Sequence, residues 1–424
     1  MEPVSRYLGT VSKEIFANSK KMNVLFLTIT RILSVEEREL YQDLMRKFRD
    51  EGHNVYIVTP RERRYKELTS LQEVNGVHIL GVKTLNLQKT SLVEKGIGTI
   101  LFESQFKAAI QKYISNIDFD LLLYSTPPIT FPNVINYLKI AYPKAKTYLL
   151  LKDIFPQNAV DLGMLSTSGI KGGLYRYFRR KEKNLYALSD YIGCMSPANV
   201  KYVLSHNPEI APEKVEIAPN SICLCEQPSY DRNAILMKYG LPNNRPILIY
   251  GGNLGRPQGI PFLIECLDAN KERKDCHFLI IGDGVEYDRI DTWYSQAKPS
   301  NVSLFRRLPK QDFELLTGAC DIGLVFLDHR FTIPNYPSRT LSYMANKLPI
   351  LIASDVASDM GPIAESNGFG FWCESNSVAS FTAQLNKMLS SDIRAMGQNG
   401  FNYLCNNYLV SNTYETIVKH VYQK

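Results

Sequence analysis

At 424 residues the chain exceeds what one hydrophobic core usually serves, so two domains are expected. A composition of 45% hydrophobic and 21% charged residues excludes a disordered or fibrous protein. The net charge of +7, from 49 basic and 42 acidic side chains, favours phosphorylated ligands or an anionic membrane face; without a basic tail or a basic run interleaved with aromatics, nucleic acid is not an expected partner.

Residues 1–21 lack the apolar stretch of a secretory signal, and no later run reaches the length of a membrane span. They read as an arm leading a cytoplasmic protein. Strands are predicted at Val24–Ile29, Val55–Val58, Val77–Val82, Leu121–Tyr124, Thr147–Leu151 and Tyr191–Cys194. Amphipathic stretches alternate with them, which is the pattern of a parallel sheet covered on both faces. The first such helix is expected to begin with a capping box, Ser34 to Glu37, to bury Leu40, Leu44 and Phe48, and to stop at Gly52. The turn-rich stretch from Pro219 to Tyr230 holds the closest pair of the eight cysteines, Cys223 and Cys225. Their spacing suits neither a zinc knuckle nor a redox motif, so the thiols are read as reduced. The alternation restarts with Pro246–Tyr250, His277–Ile281, Val302–Phe305, Ile322–Phe326 and Ile350–Ala353. A last helix, Thr413–Tyr422, is free to pack back on the first domain.

Ligands of doubly wound folds bind beyond the carboxyl ends of the strands. Three loops of the second half leave such ends. Gly251-Gly252-Asn253-Leu254-Gly255-Arg256-Pro257-Gln258-Gly259 lets backbone amides approach a phosphate while Arg256 adds a charge; the plain alternative is a tight turn with a surface arginine. Gly282-Asp283-Gly284 leaves room for a flat ring. In Pro337-Ser338-Arg339 the serine reads as an N-cap, and an arginine in a first helical turn opposes the helix dipole unless an anion or a carboxylate is near.

In the first half, Thr30-Arg31-Ile32-Leu33 and Lys152-Asp153-Ile154-Phe155-Pro156 leave strand ends. Asp153 reads equally as a turn cap or a catalytic group. Asp118-Phe119-Asp120 precedes its strand, at the wrong end of the sheet for a metal-binding acid pair. The six histidines form no ligand-spaced cluster, so no metal site is expected.

These segments, with Glu51-Gly52-His53-Asn54-Val55 and Tyr343-Met344-Ala345, resemble family 4 glycosyltransferases of the GT-B fold, and among them the WbuB-like (N-acetyl-L-fucosamine transferase) enzymes of O-antigen and capsule loci. The likeness runs from Met22 to about Glu374. It implies two Rossmann-like α/β domains facing a central cleft: 22–225 for the acceptor, with a C-terminal helix 406–424 packed back on it, and 226–405 for the nucleotide-sugar. It further implies transfer of a hexosyl or N-acetylhexosaminyl group from a nucleoside diphosphate donor, uridine-based, with retention of configuration, no metal and no cofactor. Catalytic groups would be Asp153, Arg256 and Arg339. The donor would be held by Gly252, Asn253, Gly255, Gln258, Gly282, Gly284, Leu308, Pro309, Tyr336, Pro337, Ser338 and Ser342. Arg31 and Lys152 would stand on the acceptor side.

Two departures from the family pattern stand out. Pro334 and Ser342 occupy the positions of a pair of glutamates, and Gly252 and Gln258 those of a basic pair. The resemblance implies a lipid-linked diphosphate (polyprenyl) or glycan acceptor, hence peripheral contact with an anionic membrane, for which the basic aromatic stretch Gly172–Lys183 is the candidate; Gly96–Ile114 reads as an ordinary core-facing helix. Two alternatives remain at this level. One is a degenerate member acting as a binding or assembly subunit, the other a sugar-nucleotide epimerase using His329.

Overall fold

The computed structural model describes residues 21–86, 92–224 and 230–422. The chain forms two compact units. The first takes the residues up to Pro156, then Leu165–Cys223 and everything from Leu409; the second takes Gln157–Met164 and Leu224–Tyr408. Residues 157–164 thus group with the second unit, although the sequence reading had kept them in the first. Cys225 and the arm up to residue 20 lie outside the described residues.

The first unit is built on eight strands: β1 Asn23–Leu27, β2 Asn54–Glu62, β3 Ser70–Val74, β4 Val77–Thr84, β5 Leu121–Thr126, β6 Lys146–Leu151, β7 Tyr191–Cys194 and β8 Val215–Ile217. Their order is β3-β4-β2-β1-β5-β6-β7-β8. Side chains alternate along each strand. Leu25, Leu27, Leu122 and Tyr124 enter one buried cluster with Phe102, Phe106 and Phe131. Val24, Phe26, Leu121 and Leu123 enter another with Leu44, Phe48 and Ile417. Both faces are therefore covered, as the near-continuous apolar strands require.

Two expectations are corrected here. The sheet is not wholly parallel, because β3 pairs antiparallel with β4 through a two-residue turn, Asn75-Gly76, with φ of 53° and 73°. That is hairpin geometry, which Asn-Gly supplies at little cost. The first helix begins not at a capping box but at Leu40, after Glu39, which provides no capping side chain. Ser34 Oγ accepts only from the Glu36 amide, while Ile32 and Val35 are fully buried and hold the preceding chain down on the sheet.

The second unit is a parallel sheet of β9 Ile247–Asn253, β10 His277–Asp283, β11 Val302–Phe305, β12 Ile322–Phe326, β13 Ile350–Ser354 and β14 Gly370–Glu374, in the order β11-β10-β9-β12-β13-β14. Crossover helices connect its strands. The order reverses between β9 and β12, so the loop after β9 stands at the topological switch point, where such sheets bind ligands, with the loop after β10 beside it.

Candidate active site

At the end of β9 the chain makes its close approach with glycines. Gly252 has φ +127°, and a Cβ there would lie 3.4 Å from Arg339 Nη2. Across the sheet, a Cβ on Gly282 would come within 2.0 Å of the Gly252 carbonyl oxygen, and one on Gly284 within 2.3 Å of the Leu254 oxygen. The two loops are therefore pressed together backbone to backbone. The Leu254 amide donates to the Asp283 carbonyl at 3.0 Å and the Glu286 amide to Leu254 at 2.9 Å. Gly252, Asn253, Gly255, Gly282 and Gly284 are thereby gathered at one strand end.

Arg339 lies under this junction. It opens the helix Arg339–Ala345, and its guanidinium carbon sits 4.4 Å from the centroid of the Tyr250 ring. Its Nη1 is buried and has no hydrogen-bond partner among the described residues. A charged donor without an acceptor is costly, by about 1–3 kcal/mol or more, and the ring face compensates only part of that. The arrangement asks for an anion.

Arg256, in the single turn Arg256–Gln258, is 60% exposed and stands 3.8 Å from the Glu286 carboxylate. Gln258 does not point outward: its Oε1 accepts from the Gly255 amide at 3.2 Å and from Asn253 Nδ2 at 3.1 Å. Gln258 and Asn253 therefore hold the shape of the loop. Beside β10, Arg306 stacks on Tyr287 at 4.6 Å and pairs with Asp283 at 3.2 Å. Leu308 is half-buried and Pro309 exposed, just before the helix Lys310–Ala319.

Two donor-side expectations change. Tyr336 is buried and its hydroxyl oxygen accepts from Tyr408 at 2.8 Å, so it belongs to packing. Ser338 has helical backbone angles and makes no capping bond; instead Thr340 Oγ1 donates back to the Pro337 carbonyl at 2.7 Å. Pro334 is buried while Ser342 is exposed, so neither position presents a carboxylate.

In the first unit, the Lys152 amide donates to Thr126 Oγ1 at 3.0 Å, as does that of Asp153 at 3.3 Å, which fixes the turn after β6. The Lys152 ammonium turns inward and donates to the Ala218 carbonyl at 2.8 Å. Burial pushes it down to about 7. Tyr41 is driven up to about 12, mainly by burial, with the charge of Asp153 adding to the effect; the carboxylate thus stands within electrostatic reach of that phenol. Arg31, after β1, pairs with Glu67. Asp120 and Asp118 sit at the opposite end of the sheet, bound to the amide and side chain of Asn23. Among the described residues no group of three or more His, Cys, Asp or Glu is arranged to hold a metal.

Tyr250, Arg61 and Arg306 were not singled out from sequence. For Tyr250 the signal was there: an aromatic directly before Gly251-Gly252 on a strand. Arg61 was missed because the predicted strand stops at Val58, before Thr59-Pro60, whereas β2 runs on to Glu62.

Residues 231–402 match the family described as glycosyl transferases group 1. WbjE of Pseudomonas aeruginosa, named as a glycosyltransferase, is 26% identical over 282 residues, 66% of this chain and 68% of its own. WcaI of Escherichia coli K12, named for colanic acid biosynthesis, is 25% identical over 163 residues, 38% of this chain and 39% of its own. Among solved structures, sucrose-phosphate synthase from Thermosynechococcus elongatus superposes with a TM-score of 0.74 at 12% identity, covering 95% of this chain and 99% of that one. WaaG, a glycosyltransferase involved in lipopolysaccharide biosynthesis, gives 0.64 at 14% identity, covering 95% and 100%. Anabaena HepE with UDP-glucose gives 0.65 at 14%, covering 94% and 99%. The chain therefore has the GT-B glycosyltransferase fold, and the match to glycosyl transferases group 1 lies within its second unit.

Proposed function

We propose that the protein is a retaining glycosyltransferase of surface polysaccharide biosynthesis, moving a sugar from a UDP-sugar to a lipid-linked diphosphate acceptor. The observation that carries this reading is Arg339, with a buried, unsatisfied Nη1 beside the open Gly252 at the switch point. The leaving diphosphate develops negative charge as the glycosidic bond breaks, and fixed donors aimed there stabilise it more than they stabilise the bound ground state. Arg339 and Arg256 supply that charge, so the reaction runs without a metal. A diphosphate oxygen takes the acceptor proton, and Asp153 orients the reacting sugars. A solved neighbour, HepE, was crystallised with UDP-glucose, which supports uridine as the base.

The acceptor's lipid calls for membrane contact. On the helix Gly169–Leu188, Leu174 and Tyr177 are 47% exposed, flanked by exposed Arg176 and Arg180. Such a face suits an anionic surface. No described helix is long and apolar enough to cross a membrane.

The direct test is calorimetry with UDP, followed by a panel of UDP-, GDP- and TDP-sugars scored by thermal shift and by hydrolysis in the presence of EDTA. Binding of UDP and slow release of sugar from one UDP-sugar are expected. A protein that binds UDP but hydrolyses none of the panel would support the binding-subunit reading that Pro334 and Ser342 motivate. Failure to bind any nucleotide would remove the donor site.

A further inference from the structure

We propose that Arg31 and Arg61, on the first unit, form a binding site for the phosphate ester of the acceptor. The inference rests on the transferase reading and supplies the acceptor site that reading leaves open.

Arg31 follows β1, and its backbone is pinned by Thr59: Thr59 Oγ1 donates to the Thr30 carbonyl at 2.7 Å and accepts from the Ile32 amide at 2.9 Å. Arg61 lies near the end of β2, paired with Lys83 of β4 in the sheet. Both arginines share a single carboxylate. Arg31 Nη2 pairs with Glu67 Oε1 and Arg61 Nε with Glu67 Oε2 at 2.9 Å. Among the described residues, two guanidinium groups against one carboxylate leave one positive charge over.

That charge is seated at a cost. Arg61 is only 7% exposed. Burial weakens its hold on the proton; Glu67 opposes this, and the like charge of Arg31 adds to it. The chain also gives up a side chain for it, since a Cβ on Gly81 would lie 2.8 Å from Arg61 Nε. Arg31 Nε, meanwhile, is buried with no acceptor among the described residues, while Tyr65 covers its guanidinium at 4.1 Å. A purely structural ion triad would satisfy its donors and gain little from a second buried cation. An anion resolves both the surplus charge and the orphan donor.

Access and placement fit a phosphate ester. The side chains of Arg31 and Glu67 are 30% and 37% exposed, so Glu67 can give way to a stronger anion. The site stands beyond the carboxyl ends of β1 and β2, the same end as Asp153 after β6. In this sheet β6 is two places from β1, and neighbouring strands lie about 4.8 Å apart. β2, which carries Arg61, is one place further, so the lateral separation is about 10 Å from the strand before Arg31 and about 14 Å from that of Arg61, comparable with the length of a hexose and the diphosphate it carries. The ligand chemistry is thus a sugar bearing a phosphate or diphosphate ester at its reducing end, either lipid-linked or free.

The test uses the full chain, titrated with farnesyl diphosphate in detergent micelles and separately with glucose 1-phosphate, with and without saturating UDP. The variants are Arg31→Gln, Arg61→Gln and Glu67→Gln. Wild type is expected to bind farnesyl diphosphate in the presence of UDP. Arg31→Gln should lose at least tenfold in affinity, Arg61→Gln as much or more, and Glu67→Gln should gain, since it removes the competing carboxylate. Affinity for UDP should be equal in all four proteins. Arg31 is partly exposed, so its substitution remains informative if Arg61→Gln fails to fold.

The same pattern with glucose 1-phosphate alone would uphold the site and assign it to a soluble phosphosugar. Equal affinities in wild type and Arg31→Gln, a loss with Glu67→Gln matching that of the arginine variants, or no binding of either probe would overturn the proposal. A wild type that fails to bind UDP yet binds farnesyl diphosphate through Arg31 would sink the donor reading and leave this site standing.

Discussion

The guanidinium of Arg339 lies on the face of Tyr250, 4.4 Å from the ring centroid, and the Tyr250 hydroxyl donates to the carbonyl of Asn253 at 2.7 Å. One ring thus supports both the cation and the loop that approaches the diphosphate. Arg339→Ala is expected to weaken UDP binding by about 1.5 kcal/mol or more, the worth of a charge-assisted contact. Tyr250→Leu, which keeps the charge but removes its support, should cost about 1 kcal/mol. Calorimetry distinguishes the two, and unchanged affinity in Arg339→Ala would remove the residue from the site.

Glycine is required at position 282 for a different reason. Its Cβ would fall 2.0 Å from the Gly252 oxygen, and that atom belongs to backbone that cannot rotate away. Gly282→Ala should therefore destabilise the second unit by about 1–3 kcal/mol, seen as a lower denaturation midpoint together with weaker UDP binding. Full stability would mean that β9 and β10 part more easily than their hydrogen bonds suggest.

Lys152 gives stability a pH signature. Burial lowers it from 10.5 to about 7, while the unfolded chain keeps the ordinary value. Between these limits the unfolded state holds one more proton than the folded state, so stability rises with pH from about 7 to about 10.5. Below that window both states are protonated and the folded protein bears the full cost of the buried charge. Lys152→Met should remove this contribution, so its stability advantage over wild type should shrink as pH rises from 7 to 10 in thermal melts. A constant difference would mean that the ammonium stays charged throughout.

The helix Val410–Tyr422 is part of the first unit's core. Ile417 and Val418 are fully buried, and Tyr414 shares a hydrogen bond of 2.8 Å with His53 Nε2. Because His53 Nδ1 accepts from the Met22 amide at 3.3 Å, the ring proton sits on Nε2 and the tyrosine oxygen accepts it. Ile417→Ala should cost about 2–5 kcal/mol and Tyr414→Phe about 1 kcal/mol, measured by urea denaturation. Losses below 0.5 kcal/mol in both, roughly the level of a surface change, would show the helix to be dispensable.

For membrane contact, Arg176 and Arg180 are the positions to reverse. Arg179 is held by Glu182 at 2.6 Å and by Asn207 at 2.6 Å, so changing it would disturb the fold. Arg176→Glu with Arg180→Glu should abolish cosedimentation with anionic vesicles. Full retention would reject this helix as the contact.

Periodicity and punctuation in the sequence were enough to locate most strands, because an apolar run between turn residues depends on neighbours in the chain. Tyr191–Cys194, Val302–Phe305 and Ile322–Phe326 fall where expected. Ser70–Val74 escaped because its two apolar residues, Leu71 and Val74, fall on opposite faces and leave no alternation to read, although Asn75-Gly76 marked the hairpin. The short Val215–Ile217 carries too little pattern to stand out. In the site, glycines and arginines were visible as residue types, but their partners were not: nothing local pairs Arg339 with Tyr250, 89 positions away.

Local pattern along the chain was sufficient for the alternation of strands and helices, and with it the doubly wound class and the strand ends where such folds bind ligands, since these follow from local geometry. Tertiary structure alone decided which charges are satisfied. It left Arg339 Nη1 and Arg31 Nε without acceptors, turned Lys152 inward to Ala218 and assigned Tyr336 to the core. The free energy of a charge depends on how much water it has lost and which distant group replaces that water, and both are set only when the sheets close.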